Sequence, residues 1–475
     1  MPSKNKPIHL SGTTLEGGGQ LLRLAITLSS LTRLPLHITQ IRGKRSGGGG
    51  LKAQHLTSVV WLARACGASI EGAVLGSGEV RFEPAEEGYG EGEEGEKEEQ
   101  GVEEKGVESG EAAREYWVKQ NTPGSISLVL QALLPYLIFS SDPSKITLHI
   151  TGGTNVSFSP SIDYITQVLF PMLALIGLPP IETTVHERGW TQGRVDVGSV
   201  TFEITPLIAP LPAFRLTERG TVMSVVATVS APEETEGAFR HALEAFFADN
   251  YTAIWASPNS LEEQDERSED PPYTIDFSPS HHPKRFYILL VATTTTGLKF
   301  GRDWLYDGSF RHLTSAKSDA IITAMVKKVG RDLVGELKHG GCVDEWMGDQ
   351  VVVWQALSQG KSVVHGGKGA VAKDMGRGSR GNGKGKGGRG DKGRDNRQEN
   401  KGGKEDSRGG RLSLHAQTAQ WVCSEMLGVG FDDEGGCEGV GFVPGGKGGR
   451  AERDVNSEVL VERMEELQIE DETEE

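Results

Sequence analysis

The chain reads as a mixed α/β protein, α+β in its layering, and three observations predict this. Short runs rich in β-branched residues alternate with longer segments whose apolar residues recur every three or four positions. On that criterion LPLHITQI, SKITLHIT and VGSVTFEI are strands, and Ala53–Cys66, Leu128–Phe139, Tyr164–Ile176 and Ala416–Leu427 are helices. A length of 475 residues also exceeds what one hydrophobic core serves, so two or three domains are expected.

The first elements carry the densest chemistry. Gly17, Gly18 and Gly19 stand directly before an apolar helix, where a backbone without side chains can approach a ligand and the helix amides favour an anion. Glu16 is placed to hold a divalent metal against that anion. Arg23 lies one turn into the helix, and Arg42 and Arg45 follow the strand LPLHITQI, so three guanidiniums are available for bidentate contact with phosphate oxygens. By itself a glycine-rich strand-to-helix turn is equally a structural turn, and this one fits neither the Walker nor the Rossmann pattern.

Charge divides the chain further. The net charge of −16 is unevenly spread: residues 86–115 carry about −10, residues 451–475 about −9, and residues 366–411 about +8. The global sign therefore belongs to appendages. The first is Glu/Gly-rich and the second Gly/Lys/Arg-rich, and neither has the apolar surface to order itself, so both read as disordered loops inserted into a folded domain. Residues 260–272 form a smaller polar insertion, and 444–475 a charged tail. The basic segment 366–411 is either an RNA tether acting through phosphate contacts or a plain spacer, since it has no aromatic residue for base stacking.

Cys66, Cys342, Cys423 and Cys437 are widely spaced, which suggests neither a disulfide framework nor a zinc site. No segment has the form of a signal peptide or the roughly twenty apolar residues of a membrane span. An intracellular location is expected, nuclear if the basic segment acts as an import signal, with the cytoplasm as the alternative. No feature specifies an oligomeric state.

Six blocks then occur in one order: EGGGQLLR with IRGKR and QHL, GSISLVLQALLP, GGTNVSFSPSIDY, LTERG, HGGCVDEWMGDQ and LHAQTAQ. This series resembles the RNA 3′-terminal phosphate cyclases, the eukaryotic-type enzymes in particular. The resemblance implies a large domain of three repeated two-helix, four-stranded units with a smaller α/β domain inserted before the third. The first two repeats would span 1–216, the insert 217–340 and the third repeat 341–443. It also implies ATP and a divalent metal, magnesium or manganese, as cofactors, and an RNA with a 3′-phosphate end as substrate. His415 would be the adenylylated histidine. Gln131, Pro160, Trp346, Asp349 and Gln350 would form the adenosine pocket, with Pro160 and Trp346 sandwiching the base. Gln20, Arg23, Arg42, Arg45 and Gln54 would bind the triphosphate or the RNA terminal phosphate, and Glu16 the metal. His55 and His339 are taken as structural, and His281 with His282 as a polar turn.

The chain departs from the family pattern in places. RGWTQGRVDVGSV stands where a proline and three glycines are usual, GRDWLYDGSF replaces a further glycine-rich block, and Trp346 replaces a tyrosine. Two other readings compete with the enzyme: a cyclase-like binding factor of ribosomal RNA processing, against which His415 and EGGGQLLR argue, and a non-catalytic RNA scaffold on the same fold.

Overall fold

The computed structural model describes residues 6–44, 48–85, 114–255, 272–308, 315–367 and 412–446. Arg45 lies outside the described residues, as do nearly all of the acidic segment, the basic segment, the polar insertion and the charged tail.

The chain opens with β1 (Ile8–Ser11), α1 (Gly19–Thr32), β2 (Leu36–Thr39), α2 (Ala53–Cys66), β3 (Ser69–Glu71) and β4 (Val80–Glu83). Their sheet has the order β1-β2-β4-β3, with β1 and β2 parallel and the other pairs antiparallel. The same plan follows with β5 (Arg114–Val118), α3 (Ile126–Ile138), β6 (Ile146–Gly152), α4 (Ile162–Tyr164), a π-helical turn at Ile165–Leu169, α5 (Phe170–Leu175), β7 (Glu182–Glu187) and β8 (Gly198–Ile204). This sheet is ordered β5-β6-β8-β7 with the same strand directions. Alternate residues of β6 and β8 are buried, so each strand gives one face to the helices and the other to solvent.

After β9 (Arg215–Leu216) a further α/β segment intervenes: β10 (Val222–Ala231), α6 (Glu236–Asp249), α7 (Tyr251–Trp255), β11 (Tyr273–Pro279), β12 (Tyr287–Thr294), β13 (Lys299–Leu305) and α8 (Ser315–His339). It has its own sheet, β11-β10-β12-β13, covered by α6 and α8. The chain then resumes with α9 (Met347–Gln350), α10 (Val352–Leu357), β14 (Gln359–Val364), α11 (Leu414–Leu427) and β15 (Gly436–Val440). The last sheet is β15-β14-β9, three strands among the described residues where four were expected. At the fourth position there is a single bridge between Phe431 and Cys437. The stretch GFDDEGG at 430–436 has one large apolar side chain and turns through Gly435 at positive φ, so it cannot fill a strand.

Helix α1 sits at the centre and packs on α2, α3 and α11. From Gln20 onward all its residues are buried except Arg23 and Leu24. Its polar residues are absorbed locally: Ser30 and Thr32 bond carbonyls one turn back, and Thr27 also reaches Ala132 O. The helix ends on Arg33 in the left-handed region.

The insert is joined to the second unit by a polar network. Arg188 grips Asp163 through two bonds of 2.7 and 2.8 Å, and Ser161, the cap of α4, donates to Asp303 on β13 at 2.6 Å. Where glycines are usual after Arg188, this chain instead buries Trp190 and clamps its loop with Arg285, which lies 5.4 Å over the indole and bonds Arg194 O and Asp196. Burial, reinforced by Asp163, pushes the Asp303 carboxyl up to about 6 from 3.8, against the hydrogen bonds from Ser161 and Tyr287. The folded protein thus holds a proton between those values that the unfolded chain has lost, and stability falls as pH rises through that window. Asp303→Asn is expected to flatten this dependence and stabilise the protein by about 1–2 kcal/mol at pH 7, measured by urea unfolding from pH 4 to 7.

Candidate functional site: converging helix N-termini

The residues before α1 have an unusual backbone. Leu15 and Gly17 both have positive φ, and a Cβ on Gly17 would collide with the carbonyl oxygen of Gly12, so only glycine fits there. Gly18 caps α1 with no side-chain bond, which leaves the first amides of the helix open to a ligand. The loop is fixed on its far side by α11, where Thr418 Oγ1 accepts from Glu16 N at 3.4 Å.

His415 is the second residue of α11, inside the helix rather than between a strand and a helix, and Ser413 caps that helix at Ala416 N. Its Nδ1 lies 3.3 Å from Glu16 Oε2. The histidine side chain is 56% exposed and the glutamate only 9%, so a buried carboxylate lies within ion-pair distance of a half-exposed imidazole.

Around this pair the structure gathers most of the expected phosphate ligands. Arg23 donates to Gln20 Oε1 at 3.0 Å, and burial lowers its guanidinium to about 10 against the pull of Asp349, so it stays charged at neutral pH. Arg42 has φ of 56° and Gln40 of 50°, a second knot of strain at the site, and among the described residues the Arg42 guanidinium makes long contacts of 3.4 and 3.5 Å to the Gly48 and Gly50 carbonyls. Gln54 is turned toward α3, accepting from Ser125 N at the cap of that helix at 3.2 Å. The starts of α1, α2, α3 and α11 are thereby brought together, and their dipoles add to the positive potential.

The sequence reading took His55 as structural, and it does cap the start of α2, but its place beside the phosphate ligands was not read. It is buried, and its Nδ1 accepts from Lys52 N at 3.2 Å, which leaves the proton on Nε2. Burial together with the charges of Arg23, Arg42 and Lys52 pushes its pKa down to about 3, so it is a neutral donor. A Cβ on Gly19 would lie 2.6 Å from His55 Nε2 and 2.8 Å from Arg23 Nη1, so both side chains crowd onto the helix start. The available signal was its place immediately after Gln54 in a recognised block.

The expected adenosine residues divide into two groups. Gln131 and Gln350 line a small recess of about 20 Å³ with Leu134, Leu169, Leu173 and Val353, and Gln131 Nε2 is buried there without a hydrogen-bond partner. Asp349 belongs as much to the phosphate side: burial pushes it up to about 6, opposed by the charge of His415, a bond from Gln350 at 2.9 Å and Arg23. Trp346 meets Tyr164 edge-on at 5.3 Å. Pro160 stands in the loop just ahead of that tyrosine's helix.

No group of three or more His, Cys, Asp or Glu that would hold a metal exists among the described residues. Glu16 still fits a hard divalent ion that takes its remaining ligands from phosphate oxygens and water, since such ions commonly use one or two protein carboxylates. All four cysteines are free and buried, and no helix among the described residues is long and apolar enough to cross a membrane.

Repeated βαβαββ units that aim helix N-termini, two charged arginines and a braced histidine at one point define a phosphate-handling α/β protein. The chain belongs to the RNA 3′-terminal phosphate cyclase family, whose model, described as "RTC: RNA 3'-terminal phosphate cyclase", matches residues 14–432. Two archaeal RNA 3′-terminal phosphate cyclases are similar to it: that of Staphylothermus marinus is 30% identical and that of Caldivirga maquilingensis 31%, each match covering 75% of this chain and 86% of the relative. A Dictyostelium discoideum protein named for the same activity is 28% identical over 77% of this chain and 74% of its own length.

Proposed function

We propose that the protein uses ATP to convert an RNA 3′-terminal phosphate to a 2′,3′-cyclic phosphodiester through a histidine-AMP intermediate. The observation that carries this reading is the pair formed by His415 and buried Glu16 at the open start of α1. With Nδ1 turned to the carboxylate, the lone pair of His415 lies on Nε2. Attack by Nε2 on the α-phosphorus of ATP forms an N–P bond and breaks the bond to pyrophosphate. AMP then passes to an oxygen of the RNA 3′-phosphate, and the neighbouring 2′-hydroxyl attacks that phosphorus and displaces AMP as the ring closes.

Arg23, Arg42, Arg45, Gln20, Gln54 and the open amides of α1 bind the triphosphate and the RNA end. Their charges are fixed before the reaction, so stabilising the transition state needs little reorganisation. Glu16 is also the carboxylate that would hold magnesium or manganese, which when bound neutralises charge on the phosphates. Gln131, Gln350, Trp346 and Pro160 take the adenosine, with Asp349 linking that pocket to His415. The basic segment 366–411 serves as a spacer, with RNA tethering as the alternative, and the protein works in the nucleus, with the cytoplasm as the alternative. In this reading, 1–216 and 341–443 form the catalytic body and 217–340 the insert.

The test is incubation with α-labelled ATP and magnesium or manganese, followed by mapping of acid-labile label, and then cyclisation of a 3′-phosphorylated oligoribonucleotide. Salt-sensitive RNA binding with no label on the folded protein would favour the non-catalytic RNA-binding factor instead. A further expectation concerns Gln131, whose amide nitrogen has no partner in the free protein. Gln131→Leu should raise the melting temperature slightly while raising the KM for ATP about tenfold, because a buried donor awaiting the nucleotide is removed.

A further inference from the structure

Two departures of the sequence from its family meet in space. Trp346 replaces the usual tyrosine, and GRDW at 301–304 replaces a glycine-rich block. Gly301 brings β13 against the π-helical turn, since a Cβ there would lie 2.7 Å from Val168 Cγ2 and 2.8 Å from Tyr164 Cε2. The Asp344 carboxylate holds the junction with four donors: Gly301 N at 2.8 Å, Tyr164 OH at 2.7 Å, Trp346 N at 3.1 Å and Met347 N at 2.8 Å. The next residue on the strand, Arg302, is thereby placed with its guanidinium 5.0 Å over the Trp346 ring. Two carboxylates restrain it there, Glu345 at 2.8 Å and Glu336 in direct contact, and its side chain is only 11% exposed.

We infer that Arg302 is a positioning residue through which the insert sets nucleotide affinity, by fixing the plane of Trp346 and backing one of its faces with a cation while the other stacks on the base of ATP. This rests on Trp346 being a wall of the nucleotide site, as proposed above. An indole is larger than a phenol and carries an N–H donor in place of the hydroxyl, so the anchor of a tyrosine is lost and packing takes a larger share in setting the ring's plane. A buried guanidinium supplies this, because the face of tryptophan attracts a cation more strongly than that of any other side chain.

The test uses the full chain and the rate of covalent labelling by α-labelled ATP. Arg302→Met is made together with Glu336→Gln, so that Glu336 is not left buried without its cation, while Asp344 keeps its four hydrogen-bond donors. The KM for ATP should rise about tenfold while the maximal labelling rate stays within about twofold, and Arg302→Lys, which keeps the cation without the planar fork, should give a smaller rise. In a Trp346→Leu background the same pair of changes should have no further effect on KM. An unchanged KM in folded variants overturns the inference, and so does an equal rise in the Trp346→Leu background, which would place the effect in the ion pairs. A wild-type protein that does not label at all defeats the nucleotide reading itself, and this is seen before any variant is made.

Discussion

His415→Ala is expected to abolish covalent capture of AMP, a loss of at least about a thousandfold, because the proposed reaction attaches AMP to the imidazole that lies 3.3 Å from Glu16. The fold should survive. The side chain is more than half exposed, and alanine suits the first turn of a helix already capped by Ser413. His415→Asn is the stricter comparison, since its amide can still donate toward Glu16 but cannot attack phosphorus. Both variants should bind ATP and fail to label. Both should still cyclise an RNA whose 3′-phosphate already carries AMP, since that step uses the 2′-hydroxyl and needs no histidine-AMP. Retained labelling in either variant would move the nucleophile elsewhere.

Gly19→Ala is expected to separate stability from activity. Gly19 lies within the first turn of α1 and is absent from the glycines with positive φ, so alanine is compatible with its backbone and should favour the helix by about 0.5–1 kcal/mol. The added methyl, however, points at His55 Nε2 and Arg23 Nη1. His55 is buried and tied to Lys52, so it can give way only by leaving its place in the cradle. A displacement of about 1 Å in phosphate-positioning groups costs on the order of a hundredfold in rate. An unchanged or higher melting temperature with labelling reduced to that extent is the expected result. Gly17→Ala should differ, losing both stability and activity, because there the collision is with the backbone of Gly12.

Much of the fold was legible locally. The Ala53–Cys66 pattern is α2 end to end, the strand run VGSVTFEI contains β8, and SKITLHIT covers β6 except for its last residue, Gly152. Each of these segments buries one regular face, and periodicity reports that directly. The helix read from Tyr164 to Ile176 is in fact interrupted by a π-helical turn, a change in hydrogen bonding that leaves the apolar pattern almost untouched. The last sheet, with three strands among the described residues, shows the same limit, since pairing depends on a neighbour as well as on the run itself.

The candidate site divides along similar lines. The sequence by itself determined the chemical inventory: a carboxylate and glycines ahead of an apolar helix, arginines at set intervals, and a histidine at the start of the last helix. Only the tertiary structure decided which of these act on each other. Glu16 and Thr418 are 402 positions apart and meet because α1 packs on α11. The same packing places His415 against Glu16 and brings Asp349 within reach of both His415 and Arg23. It also set His55, read as structural, as a neutral imidazole beside Gly19 and Arg23, and put Arg302 of the insert behind Trp346. The reason is physical: local patterning records which face of an element avoids water, whereas the protonation and orientation of a polar group are set by whatever the whole fold packs around it.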